Sequence, residues 1–294
     1  MIDVVGVGAL NIDFLADAPP VPLERGSETA LDAARIPSGA PASLGGSAFN
    51  TVRALALPGS GAGLSLGYVG VAGRSPVPDL SPTAAMDAYG IDRRFVFDSP
   101  QLCGTCLAVM RDGERTLLTH PGANLAFPDH LDRAFDDLVA YLGEAKIVHV
   151  TSFLDARTPP KLVRLLTAVR ERGTLVSFDP GHVWSTARTP AVERLVGLAD
   201  LLLVNPQEFH ALRRVPTGAT VVVKHAAGIR VGNRFVPQVP LATDQIVNAT
   251  GAGDVFAAGL LLTLARGGPI ADGCTLGLRM ARQSLSQPGG PRRA

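Results

Sequence analysis

The sequence predicts an α/β protein with a doubly wound, mostly parallel sheet flanked by helices and a small β appendage. From Pro128 onward, helix-like segments (Asp129 to Leu142, Lys161 to Arg172, Ala191 to Leu198, Pro206 to Arg213) alternate with short apolar runs (Lys146 to Val150, Thr174 to Phe178, Asp200 to Val204, Thr220 to Val223). Runs of this kind suit parallel strands covered on both faces. Pro128, Pro160, Pro190 and Pro206 stand where first-turn prolines belong. Between Phe14 and Thr119 the pattern differs: Phe14 to Ser43 is extended and broken by Pro and Gly, and Phe95 to Phe97, Gly104 to Met110 and Arg115 to Thr119 alternate in twos. Asp112-Gly113 between the last two runs is a hairpin signal.

The remaining elements follow in order. Ile2 to Gly8 is a first strand, the stretch Leu44 to Ala56 a helix opened by Gly45-Gly46, Leu64 to Gly70 a strand and Thr83 to Tyr89 a short helix after the Pro-rich loop Ser75 to Pro82. Two helices close the chain, Val255 to Ala265 and Asp272 to Leu285, before a tail from Pro288 that is expected to fray.

Composition narrows the function classes. The 294 residues are 46% hydrophobic and 18% charged, and 27 Lys and Arg balance 26 Asp and Glu for a formal charge of +1. That excludes a strongly basic nucleic-acid or anionic-membrane surface and favours small-molecule partners. The run Val255 to Ala265 is too short to span a bilayer. Met1 to Val5 carries no basic leader, so a cytoplasmic protein is expected. Cys103 and Cys106 form a CxxC, but residues three apart on a strand face opposite ways, which argues against a shared metal.

Chemistry gathers at strand ends and helix starts. Asn248-Ala249-Thr250-Gly251-Ala252-Gly253-Asp254 leads straight into an apolar helix. The amides of Gly251, Ala252 and Gly253 can face an anion at the positive end of the helix dipole, and Asp254 stands where it could take a proton from a nucleophile. A tight turn with an acidic first-turn residue would look the same. Asn11 and Asp13 follow the first strand, and Gly45-Gly46 with Asn50 form a second glycine pair before a helix. Gly6-Val7-Gly8 fails as a dinucleotide fingerprint because Asn11 holds the third glycine position and no helix follows. Gly46-Ser47-Ala48-Phe49 lacks the last glycine of a hydrolase elbow. Asn205 and Glu208 read first as a capping box, and second as groups that organise a divalent cation at a strand end. Lys224 and Gly228, beyond the strand Thr220 to Val223, are candidates for the nucleotide side.

Together these segments resemble the ribokinase-like (PfkB) family of carbohydrate and nucleoside kinases over nearly the whole chain. The resemblance rests on Asn11-Ile12-Asp13, Gly45-Gly46 with Asn50, Asp112-Gly113-Glu114-Arg115, Gly122-Ala123-Asn124, Asn205-Pro206-Gln207-Glu208 and, most specifically, Gly251-Ala252-Gly253-Asp254. It implies a single catalytic domain over residues 1–294 with lid segments at about 14–43 and 93–119, ATP and Mg²⁺ as cofactors, and a sugar or nucleoside acceptor. Asp254 would be the base and Gly251, Ala252 and Gly253 the anion hole. Asn11, Asp13, Gly45, Gly46 and Asn50 would hold the acceptor, and Glu208 and Asn205 would organise Mg²⁺ and the triphosphate. The lid sheet is a surface through which two copies could pair. Three departures stand out. Asn248 replaces the Asp that many members place beside a monovalent-cation site, with Ala249 for Thr, which puts potassium activation in question. Ser47 replaces the Lys of the phosphosugar branch, which disfavours a phosphorylated acceptor. Ala72-Gly73 follows Val69-Gly70 where many members carry an Asp. An inactive sugar- or nucleoside-binding protein of the same fold is the alternative.

Overall fold

The computed structural model describes residues 1–16, 28–30, 40–57, 63–111, 114–213, 215–239, 241–242, 245–246 and 251–286. In chain order the elements are β1 (Ile2–Val7), β2 (Asn11–Ala16), β3 (Glu28–Ala30), β4 (Ala42–Gly45), α1 (Ser47–Ala56), β5 (Leu66–Arg74), α2 (Pro82–Ala88), β6 (Asp92–Leu102), β7 (Gly104–Arg111) and β8 (Glu114–His120). A 3₁₀ turn (Gly122–Ala126) precedes α3 (Phe127–Arg133), α4 (Phe135–Gly143), β9 (Ala145–Thr151), α5 (Thr158–Arg170), β10 (Leu175–Asp179), α6 (Gly181–Ala187) and α7 (Pro190–Leu198). Then come β11 (Leu201–Val204), α8 (Pro206–Ala211), β12 (Thr220–His225), β13 (Gly228–Val231), β14 (Arg234–Pro237), α9 (Ala252–Ala265) and α10 (Ile270–Leu285).

Nine strands form one sheet in the order β14-β13-β12-β11-β10-β9-β1-β5-β6, all running one way except β13, which is antiparallel to both its neighbours. The strands are apolar on both faces because both are covered. Val4, Ile147, Leu201, Leu203 and Val222 pack with α1, α9 and α10. Val5, Val148, Val150, Leu202 and Val204 pack with α4, α5 and α7 on the other side. Helix α9 is buried from Phe256 through Leu262, consistent with its apolar composition all round, because α1 and α10 enclose it. No helix among the described residues is long and apolar enough to cross a membrane.

The appendage is a second sheet in the order β3-β8-β7-β2-β4, with β7 and β8 antiparallel from Thr105↔His120 to Arg111↔Glu114. The expected turn at Asp112-Gly113 lies outside the described residues, as does the tail from Pro288.

Two expectations are corrected, and two elements are added to those expected. The second appended segment starts at Gly104, not 93, because Asp92–Leu102 forms the edge strand β6, paired in parallel with β5 of the large sheet. The helix expected over Asp129 to Leu142 is two helices broken at Ala134, with Asp136 and Asp137 favouring a new start in the first turn of α4. Helix α6, about two turns long and pinned by buried Trp184, and the edge hairpin β13–β14 had no periodic signal and are additions.

Candidate active site

Strand β1 pairs with β5 on one side and β9 on the other, and the chain winds outward from these neighbours in opposite directions. The carboxyl ends of the strands at such a switch point bound a crevice. The sequence-marked residues converge there from several elements.

Helix α1 begins directly after β4, with Gly46 at φ 104° as its N-cap. Only glycine fits: the φ is left-handed, and a Cβ would lie 2.1 Å from the Ala9 carbonyl oxygen. A Cβ on neighbouring Gly45 would lie 2.0 Å from Asp13 Oδ1, so the Asp13 carboxylate rests against bare backbone. Strand pairing sets Asn11 opposite Gly45 and Asp13 opposite Ser43. Helix α9 starts at Ala252 behind Gly251, an N-cap at φ 76° with no side-chain cap, and Asp254 lies in its first turn.

The two helix starts are joined. Asn50 Nδ2 donates to Asp254 Oδ2 at 3.0 Å, and Thr51 Oγ1 donates to the Asp254 carbonyl at 3.2 Å. Arg53 Nη2 donates to Asn50 Oδ1 at 3.2 Å, which fixes the Asn50 amide with its NH₂ toward the carboxylate. Burial lowers the pKa of Arg53, against the opposing influence of Tyr89, Asp13 and Asp254. A guanidinium remains charged under any such shift, so it places a positive charge near both carboxylates.

A second cluster lies at the ends of β10, β11 and β12. Lys224 Nζ pairs with Asp179 Oδ2 at 2.6 Å. Burial works to lower the Lys224 pKa, but Asp179 and Glu208 outweigh it and hold the ammonium above its ordinary value. A Cβ on Gly253 would lie 3.6 Å from Lys224 Nζ, which brings this cluster under the glycine loop. Glu208 and Asn205 form a complete capping box, with Asn205 N–H donating to Glu208 Oε2 at 2.7 Å and Glu208 N–H to Asn205 Oδ1 at 2.8 Å. Capping does not account for Glu208 entirely. Burial, then the Asp179 carboxylate, push its pKa up to about 7 against the pull of Lys224 and the Asn205 amide. Beside them, burial pushes His149 down to about 4, so the imidazole is neutral, and its Nδ1 lies 3.0 Å from Ser177 Oγ.

The structure thus brings Asp254, Gly251, Ala252 and Gly253 together with Asn50, and Lys224 together with Glu208 and, through the capping box, Asn205. Gly228 does not join them. It is buried at the start of β13 at φ 145°, where a Cβ would lie 2.3 Å from the Val236 carbonyl oxygen, so it serves the closure of the edge hairpin. Asn248 and Ala249 lie outside the described residues. Asp179 and Arg53 are additions. Asp179 was a lone carboxylate ending an apolar run, and Arg53 follows Asn50 by one helical step of three. Gly6 and Gly8 are packing residues: a Cβ on either would lie 2.7 Å from Val52 or 2.6 Å from Ala48 of α1.

The model of the pfkB family of carbohydrate kinases matches residues 1–292. The chain belongs to this family. Among curated relatives of this pfkB-family chain, adenosine kinase of Saccharomyces cerevisiae is 25% identical over 274 residues, covering 83% of this chain and 78% of that protein. The ATP-dependent ribose-1-phosphate kinase of Halopiger xanaduensis is 28% identical over 278 residues, covering 90% and 85%. Among solved structures, adenosine kinase from Schistosoma mansoni in complex with 2-fluoroadenosine superposes with a TM-score of 0.80 at 16% identity, covering 99% of this chain and 97% of that one. The last shows that the pfkB-family fold is shared.

Proposed function

We propose that this chain is an ATP-dependent kinase that transfers the γ-phosphoryl group to a hydroxyl of a small sugar or nucleoside. One observation carries the reading: Asp254, held by Asn50, lies in the first turn of α9 directly behind the uncapped Gly251–Gly253 backbone. A base and an anion-binding helix start are thereby adjacent, as phosphoryl transfer requires. Its relatives' names, adenosine kinase and ribose-1-phosphate kinase, support an acceptor built on a pentose.

In this reading Asp254 takes the proton of the attacking hydroxyl, and Asn50 and Arg53 keep its carboxylate ionised and aimed. Backbone N–H groups of Gly251, Ala252 and Gly253 hold charge that develops on the transferred group. Asn11, Asp13, Gly45, Gly46 and Asn50 orient the acceptor, and orientation is the larger part of catalysis here. The second sheet acts as a lid that excludes water.

Glu208 is a buried oxygen donor, its pKa raised by burial and then by the Asp179 carboxylate, with Lys224 pulling the other way. Such a pair fits Mg²⁺, which binds through one or two carboxylates with water and substrate phosphates. Glu208 and Asp179 would hold it, with Asn205 fixing the Glu208 side chain. When bound, Mg²⁺ neutralises phosphate charge during transfer. Lys224 supplies a fixed positive charge on the same side.

An ADP-release screen over free sugars, ribose-1-phosphate and nucleosides, with and without potassium, tests the reading. Asp254→Asn is expected to lower turnover with the best acceptor by about 10³-fold while acceptor binding survives. Near-normal turnover in that variant would remove Asp254 as the base. Ligand binding without ADP release from any acceptor would favour an inactive binding protein.

A further inference from the structure

Three connections between the two sheets meet at one buried side chain. The chain passes from β1 to β2 through Leu10, from β6 to β7 through Cys103, and from β8 to the 3₁₀ turn through Pro121. Asn124, only 3% exposed, reaches them. Its Oδ1 accepts the Leu10 N–H at 3.0 Å, and its Nδ2 lies 3.1 Å from the Leu10 carbonyl, 2.9 Å from the Pro121 carbonyl and 3.1 Å from Asn11 Oδ1. Cys103 Sγ donates to the same Leu10 carbonyl at 3.3 Å.

The partners determine the polarity of this network. An N–H of Leu10 can only donate, and the carbonyls of Leu10 and Pro121 can only accept, so the Asn124 amide has one orientation. Its Nδ2 must therefore meet oxygen, not nitrogen, on Asn11. A flipped Asn11 would set two NH₂ groups against each other in a buried place. Gly104 leaves the room for this contact: a Cβ there would lie 2.1 Å from Asn11 Oδ1 and 2.3 Å from Asn124 Nδ2. Both asparagines line a cavity of about 40 Å³ with Thr119, Ser152 and Phe153, space for a hydroxyl group or one water.

We propose that Asn124 is a positioning residue for the acceptor: by holding Asn11 Oδ1 it turns the Asn11 NH₂ outward as a fixed donor. The site then selects an acceptor that offers a lone pair there, such as a hydroxyl or ring oxygen, and rejects one that offers only an ammonium, as a protonated amino sugar does. This rests on the acceptor reading of Asn11 given above.

The test uses adenosine, ribose and amino-deoxyriboses, which carry an alkylammonium in place of one hydroxyl, as probes. Asn11→Asp keeps an oxygen for Asn124 but removes the outward donor; it is expected to raise the KM for adenosine or ribose about tenfold and to leave the KM for ATP within about twofold. It also relaxes the rejection of the amino sugar. Asn124→Ser is expected to raise the acceptor KM in the parent protein but to add less than about twofold in an Asn11→Ala background, because one residue acts through the other. Additive effects, or an equal change in the ATP KM, would overturn the proposal. If the parent protein turns over no probe, the kinase reading is what fails, and exchange of side-chain amide protons in ¹⁵N-asparagine-labelled protein decides this proposal separately. The Asn124 NH₂ is expected to be protected and to shift on Asn11→Ala, while the Asn11 NH₂ exchanges with solvent. A protected Asn11 NH₂ with an indifferent Asn124 would refute it, and this readout does not require Asn124→Ser to fold.

Discussion

Asn50 and Asp254 are 204 positions apart in sequence and 3.0 Å apart in space, the amide of one donating to the carboxylate of the other. The bond ties the start of α1 to the start of α9 and, through Arg53, carries a positive charge to the carboxylate without direct contact.

Asn50→Ala is expected to lower kcat about tenfold through loss of one charge-assisted hydrogen bond, with a smaller change in KM for ATP. Asn50→Asp sets two carboxylates together, and like charge raises the pKa of the pair. Its acid limb in a pH–rate profile therefore moves to higher pH. An unmoved limb would separate Asp254 from the proton transfer.

The adjacent glycines are expected to fail differently. Gly46→Ala meets a backbone oxygen in a left-handed conformation and is expected to cost about 2 kcal/mol, read as a lower Tm. Gly45→Ala meets the Asp13 side chain first, not backbone, and displaces that carboxylate. Thermal melting then changes little while the acceptor KM rises.

In the metal-free protein, the raised pKa of Glu208 makes stability depend on pH. The folded protein holds a proton on Glu208 up to about 7, while the unfolded chain releases it near the ordinary 4.5. Stability from this group is complete below 4.5 and lost as pH rises toward 7. Parallel melting curves of the parent and Glu208→Gln are expected to diverge across that window, the parent falling, and the parent's fall is expected to shrink when Mg²⁺ and ATP are added.

Lys224→Met removes the partner 2.6 Å from Asp179 and leaves that carboxylate beside Glu208. A loss of about 3 kcal/mol is expected in denaturant unfolding, since breaking a largely buried pair strands one charge. Adding Asp179→Asn is expected to return part of it, which separates the ion pair from simple packing loss.

Legibility in the sequence followed the physics of each segment. Strands β9 to β12 were readable because apolar runs between first-turn prolines have few other uses, and α9 because nothing polar interrupts it. The edge hairpin β13–β14 was not, since Arg230, Arg234 and Gly232 break both periodicities. Strand β6 alternates as an edge strand does, which is why Phe95 to Phe97 read as part of the appendage. Asp254, Asn50 and Glu208 stood out because they adjoin glycines or a helix start. Arg53 did not, and Asn124 stood out only as part of the Gly122-Ala123-Asn124 stretch without a role, because what each does exists only in contacts across the fold. Gly228 shows the converse: a glycine near a strand end was packing, not ligand approach.

The N-terminal strand occupies the middle of the sheet, with neighbours contributed by β5 and β9. Strand β1 therefore stays half-paired until Ala145–Thr151 has been made and has found it, and the bond between Asn50 and Asp254 closes a still longer loop. Closing distant loops is slow relative to forming local helices. Recovery of activity on refolding will accordingly lag behind the return of helical signal, and catalysis itself becomes the most stringent reporter that the whole chain has been threaded correctly.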